Sequence, residues 1–151
     1  MTAINHALTG SLIGLIIGQP LAAVPLAIGS HFVCDAIPHF GTGLPNKVLL
    51  KTDAFRNYLF AEGLLCFLLV CVLAFVRPEH WLLASICAFA AASPDLLSFN
   101  GYQKTRRGLN WEAGRYVKFA GGIQWFERPI GAVVEVAWFT GAVILLATFL
   151  R

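Results

Sequence analysis

Apolar side chains run almost without interruption over about 4–18, 21–38, 57–76, 80–98 and 129–150, while polar and charged ones gather in 39–56 and 99–128. Crossing the hydrocarbon core of a bilayer takes about 20 apolar residues in a helix, with about 17 as the lower limit. The last three runs meet that length. The first two are short and are separated by Gly18, Gln19 and Pro20, a tight turn. They form a hairpin that either crosses fully or is partly re-entrant beneath the other helices. The pattern predicts an all-α, polytopic membrane helical bundle of about five transmembrane helices, in a single membrane-embedded domain over 1–151.

Composition strengthens that picture. The chain is 58% hydrophobic and 13% charged, with a mean hydropathy of +0.71, against about 45–50% and about 25% for an ordinary soluble domain. No stretch reads as low-complexity. The first ionisable side chain is His6 and the first basic one Lys47. The basic leader of a cleaved signal peptide is absent, so the first apolar run is expected to stay in the mature protein. Cys34, Cys66, Cys71 and Cys87 lie inside apolar runs without a CxxC pair. They read as small buried hydrophobes rather than a thiolate zinc site, with Cys34, next to Asp35, as the one to watch.

Charge then sets a direction. With five spans, the loops at 39–56 and 99–128 share a side with the N-terminus, which gives that side nine Lys/Arg (Lys47, Lys51, Arg56, Lys104, Arg106, Arg107, Arg115, Lys118, Arg128) against Arg77 and Arg151 opposite. The positive-inside bias places the N-terminus and both loops in the cytoplasm, with the C-terminus outside. A net charge of +3 makes a poor case for nucleic acid as a partner.

Against this background the ionisable residues inside the apolar runs stand out. His6 opens the first run, His31, Asp35 and His39 lie late in the second, and Glu62, Asp95 and Glu135 fall in the third, fourth and fifth. All lie toward the cytoplasmic level. An acid at the centre of a membrane helix costs about 2.5–3.5 kcal/mol, and such residues are functional by default. His31, Asp35 and His39, four apart, form one stripe on a helix, with successive members offset by about 40° and about 6 Å along the axis. That suits a metal held by His31 and Asp35, with His39 turned inward beyond Pro38 or serving a second ion. Imidazole with carboxylate suits a divalent metal such as zinc, manganese or iron(II) better than calcium or magnesium, and zinc comes first.

Gly10, Gly14 and Gly18 repeat every four residues, and one step back on that face is His6. A small-residue face lets a neighbouring backbone approach, so His6 points into packing; the plainer alternative is an interfacial histidine. In the fourth run Ala84, Ala88, Ala91 and Ala92 lead to Asp95, with Pro94 breaking the ladder just before it. Asp95 is a further metal ligand, or else a capping residue, and Ser93 and Ser98 are placed to support it. Glu62 and Glu135 are candidates for the general base, for ligands, or for partners of loop arginines. The aromatic and basic loop at 99–128 reads either as a solvated segment with a headgroup-level aromatic belt or as an anionic-headgroup clamp through Arg106, Arg107, Arg115, Lys118 and Arg128.

The segments NHALTG (5–10), SHFVCDAIPHFG (30–41), SPD (93–95) and IQWFERPIGAVVE (123–135) look like a family of small bacterial integral membrane proteins. That family resembles the inner-membrane metal-dependent hydrolases, whose signatures are a His-x-x-x-Asp box and a Pro-Asp-x-Asp-His box. His31 and Asp35 match the first box. Pro94 and Asp95 match the start of the second, where Leu97 and Ser98 replace its second Asp and its His. The His-x-x-x-Asp helix is also similar to a ligand helix of the soluble zinc phospholipase C and nuclease fold, which uses more histidines than the four here.

The expectation is a metal-dependent hydrolase acting on a phosphoester or ester of a membrane lipid or lipid-linked substrate at the cytoplasmic face. A metal or ion transporter or channel, and a non-catalytic assembly protein, are the alternatives. Polar groups confined to one half of the membrane offer a channel no relay through the other half.

Overall fold

In the computed structural model of the chain, which describes residues 1–43 and 46–151, each apolar run is a helix whose ends are set by local chemistry. Leu44, Pro45 and the side chains of Asn46 and Lys47 lie outside the described residues, so the Lys47 contribution to the charge count is read from sequence alone. Helix α1 (Ala3–Ile17) stops where Gly18 takes a left-handed φ of 64° and donates its N–H to Gly14 O. That conformation strains any residue carrying a Cβ. Gln19 then caps α2 (Pro20–Ala36) by accepting from Ala22 N at 2.7 Å, with Pro20 in its first turn. Helix α2 ends as Ile37 goes extended ahead of Pro38, as the residue before a proline must. A short helix, α3 (Asn46–Leu49), follows.

Thr52 accepts from Phe55 N at 3.1 Å and so starts α4 (Asp53–Val76) four residues before the apolar run begins. Helix α5 (Trp81–Ala92) tightens into a 3-10 segment (Ser93–Ser98) and continues as α6 (Phe99–Arg106). The chain closes with α7 (Arg115–Ile123) and α8 (Gly131–Phe149). The region expected as a loop at 99–128 therefore holds two helices. Pro94 has no N–H to give, yet it sits in the first turn of the 3-10 segment, where none is required. The helix tightens there rather than ending.

The chain is all-helical among the described residues, apart from an isolated bridge between His39 and Glu127. Three helices are long and apolar enough to cross a membrane: Asp53–Val76, Trp81–Arg106 and Gly131–Phe149. Helices α1 and α2, at 15 and 17 residues, reach about 22 and 26 Å at 1.5 Å per residue, short of a hydrocarbon core of about 30 Å. They form a hairpin that packs among the longer helices.

Helix α1 lies at the centre, packed most extensively on α5 and also on α2, α8 and α4. The glycine face makes this possible. A Cβ at Gly14 would lie 2.6 Å from Ala84 Cα, and one at Gly10 would run into the Cys87 carbonyl. Between apolar helices in lipid, such close backbone contact replaces the hydrophobic driving force of a soluble core. Leu8, Leu12, Leu69, Leu73 and Leu146 fill the space between α1, α4 and α8, while outward side chains such as Phe75 and Leu21 stay 90% and 84% exposed. All four cysteines are free.

Candidate metal centre

One end of this bundle gathers the ionisable residues. His6, in the second turn of α1, is fully buried and follows the same face as Gly10 and Gly14, so the tight α1–α5 contact carries it inward. His31 and Asp35 come from the last turns of α2. Asp95 comes from the 3-10 segment, where the tightening after Ala92 brings its carboxylate 3.6 Å from His31 Nε2. The two imidazoles stack, with ring centroids 4.1 Å apart and planes 28° from parallel.

Hydrogen bonds fix the proton on each ring. His31 Nδ1 is 2.9 Å from Ala91 O. A carbonyl only accepts, so Nδ1–H donates, which leaves Nε2 as the nitrogen free to bind a proton or a metal ion. That Nε2 faces Asp35 Oδ2 at 3.4 Å and Asp95 Oδ1 at 3.6 Å. A proton on Nε2 or a metal ion between these atoms would be held favourably by the two carboxylates. His6 Nε2 is 3.1 Å from Asp35 Oδ1 and must donate to it. His6 Nδ1 is left buried, with no hydrogen-bond partner among the described residues.

One donor atom each from His6, His31 and Asp95 lie within 4.8 Å of one another. The donor set and the orphaned His6 nitrogen fit a divalent ion of the kind that imidazole and carboxylate prefer. Asp35 and His39 lie outside this three-residue group. Asp35 touches both imidazoles and also takes the Met1 amino group at 2.6 Å and Gln124 Nε2 at 3.0 Å. It has the placement of a carboxylate that orients ligand histidines. His39 is buried, but its Nδ1 donates to Ile37 O two residues back. Its backbone pairs with Phe126 and Arg128, and Gly131 packs so closely that a Cβ would overlap the His39 carbonyl. His39 thus pins the segment 124–131 across the end of α2, which is how Gln124 reaches Asp35.

The remaining candidates take other places. Glu62 Oε2 accepts from Ile4 N at 2.9 Å and Glu135 Oε1 from Thr2 N at 3.1 Å. Both carboxylates therefore meet the first turn of α1. Ser93 turns its hydroxyl back to Ala90 O. Arg106 binds Asp53 Oδ1 at 2.6 Å and Thr52 O at 3.3 Å, tying the end of α6 to the start of α4. Arg128 lies over the Phe126 ring at 5.1 Å. Arg107, Arg115 and Lys118 are exposed.

Sequence reasoning missed Gln124, Tyr116 and Lys104. Tyr116 donates its hydroxyl to Pro94 O at 2.8 Å, next to Asp95. Burial raises its phenol above the usual value, and the nearby Asp95 and Asp35 charges add to this. Tyr116 also lines a cavity of about 390 Å³, together with Leu97, Asn100, Lys104, Trp111 and Glu112. Trp111 closes one wall by packing on Gly101 and donating to Thr105 Oγ1 at 2.7 Å.

The fold and this cluster define an all-helical chain, with three helices able to cross a membrane and an imidazole–carboxylate site buried at one end. No protein family, curated protein or solved structure matches the chain.

Proposed function

We propose that the chain is a membrane-embedded metal-dependent hydrolase acting on a phosphoester or ester of a lipid or lipid-linked substrate at the cytoplasmic face of a bacterial inner membrane. The observation that carries this reading is the convergence of His6, His31 and Asp95. The two imidazoles are buried, while Asp95 is 51% exposed, so the site opens on one edge. These three residues would hold a divalent ion, zinc first, with Asp35 orienting both rings. When bound, such an ion supplies Lewis-acid polarisation of the scissile group and activates water for attack.

The chain's own residues provide the rest. Ala91 O and Asp35 hold the two imidazoles in one tautomer and orientation. Tyr116, bonded beside Asp95, ties α7 to the open edge. The cavity beyond it presents Lys104 and Glu112 to a lipid headgroup, and its apolar wall includes Leu97. Arg107, Arg115 and Lys118 favour an anionic membrane surface. The loop-charge count supports the cytoplasmic placement, and the likeness to inner-membrane metal-dependent hydrolases belongs to the same proposal.

A second reading, a non-catalytic assembly role, is favoured by the number of donors that already engage Asp35. The two separate in one assay. Protein in nanodiscs with mixed phospholipids, loaded with zinc or manganese, is expected to release phosphate or a headgroup, and His31→Ala to abolish that release. Metal-loaded protein that leaves every lipid of the mixture intact would favour the assembly role.

A further inference from the structure

Two buried acids remain that the proposed centre does not use. Glu62 and Glu135 are 8% and 7% exposed, and neither has an ion-pair partner on a side chain among the described residues. Both carboxylates point at the same element. Helix α1 starts without a cap of its own, since Thr2 makes no side-chain capping bond and the first turn holds no acid. The opening N–H groups of any helix lack partners within it, and buried ones need acceptors from elsewhere. For α1 those acceptors come from two other helices. Glu135 of α8 takes Thr2 N and Glu62 of α4 takes Ile4 N, while Asn5 Nδ2 donates to Glu135 O at 3.2 Å. A carboxylate at the positive end of a helix dipole is also favourably placed.

We propose that Glu62 and Glu135 are positioning residues, which clamp the first turn of α1 from both sides and so set His6 against Asp35 and His31. His6 is two residues beyond Ile4 on a rigid helix. Its ring must meet Asp35 at 3.1 Å and stack on His31 at 4.1 Å. The glycine contacts with α5 hold α1 at Gly10 and Gly14. The two carboxylates hold it at Thr2 and Ile4, and these anchors on either side leave α1 little freedom to slide or rotate. Their lone pairs serve helix donors, a different task from that of a general base. The proposal rests on the metal-centre reading only for its consequence, the placement of a ligand histidine.

The test uses full-length protein in nanodiscs, free of metal, with ¹⁵N-labelled histidine rings and the His6 signals assigned by His6→Asn. In Glu62→Ala and Glu135→Ala the hydrogen-bonded Nε2 signature of His6 is expected to be lost, while the His31 Nδ1–H signature survives. In Glu62→Gln and Glu135→Gln the amide oxygen still accepts, and the His6 signature is expected to be retained. An unchanged His6 signature in the alanine variants would overturn the proposal, as would its loss in the glutamine variants, which also decide the matter where the alanine variants fail to fold. The ring signals are read without metal, so this failure is distinguishable from an absence of metal binding. Where the centre does bind cobalt(II), the alanine variants are expected to weaken it by about 10-fold or more, as loss of orienting contacts does elsewhere.

Discussion

Two groups of buried ionisable side chains lie at the same end of this bundle and are put to opposite uses. Around Glu62 and Glu135, carboxylate oxygens are answered by helix N–H donors at 2.9 and 3.1 Å. Around His31, two carboxylates face Nε2 at 3.4 and 3.6 Å, and His6 Nδ1 has no partner among the described residues. In the first group each carboxylate has a helix donor, although Thr2 Oγ1 and Asn5 Oδ1 beside them are buried without a hydrogen-bond partner among the described residues. In the second, Asp35 already accepts from the Met1 ammonium, His6 and Gln124, and a proton or a metal ion at His31 Nε2 would join it to Asp95. Buried acids among these apolar helices are therefore sorted less by their identity than by what their lone pairs meet. A carboxylate that meets helix N–H groups holds structure, and a convergence of imidazole and carboxylate donor atoms is a candidate ligand site.

The most severe way to break this contrast is to move α1, which belongs to both groups. Gly10→Leu forces a side chain into the Cys87 carbonyl. It is expected to cost about 1–3 kcal/mol or more in overpacking and to abolish both the His6 ring signature and metal binding. Thermal unfolding and ring NMR of the purified variant check this. A variant as stable as wild type would show that the α1–α5 contact does not set the site.

A finer cut separates orientation from ligation within the second group. Asp35→Asn keeps the size of the side chain and removes its charge, and it is expected to weaken metal affinity by about 10–100-fold without abolishing it. Competitive titration with a metal indicator measures the change. Complete loss would instead place Asp35 among the ligands, and an unchanged affinity would remove it from the site. The mildest expected effect belongs to Arg106→Ala. The pair it breaks is a surface link between α6 and α4, and exposed pairs contribute little. Metal affinity should stay within experimental scatter of wild type, and a large drop would reassign Arg106 to the site.

Much of this was legible in the chain. The Gly10/Gly14 face correctly implied a close helix neighbour, and it correctly buried His6. The four-residue spacing of His31 and Asp35 does bring their side chains within 3.4 Å of each other, and the seven ionisable candidates named from the apolar runs do gather at one end of the bundle, away from His80 beside Gly18. Helix continuation past Ser98 was hidden because FNGYQKTR (99–106) is polar and its hydropathy reads as loop. Pro94 looked like a break because sequence alone does not show that a 3-10 turn will follow.

Residues whose partners are backbone atoms were the hardest to place. Nothing in a side-chain motif says that Glu62 and Glu135 will meet N–H groups about 60 and 130 residues away, because a helix end left uncapped by its own side chains becomes visible only in three dimensions. Gln124 and Tyr116 were hidden for the same kind of reason. Each reaches the site through a chain crossing, at Asp35 and at Pro94 O, that no local spacing encodes.

The central claim is that the His6–His31–Asp95 convergence is built for a metal ion. Cobalt(II) titration of metal-free wild-type protein in nanodiscs, followed by its visible ligand-field spectrum, tests this most directly. Saturable binding of a single ion per chain, with a nitrogen–oxygen ligand spectrum that is lost in His31→Ala and kept in Glu62→Gln, is the predicted result. Wild-type protein that takes up no cobalt or zinc, or a spectrum that His31→Ala leaves unchanged, would contradict it.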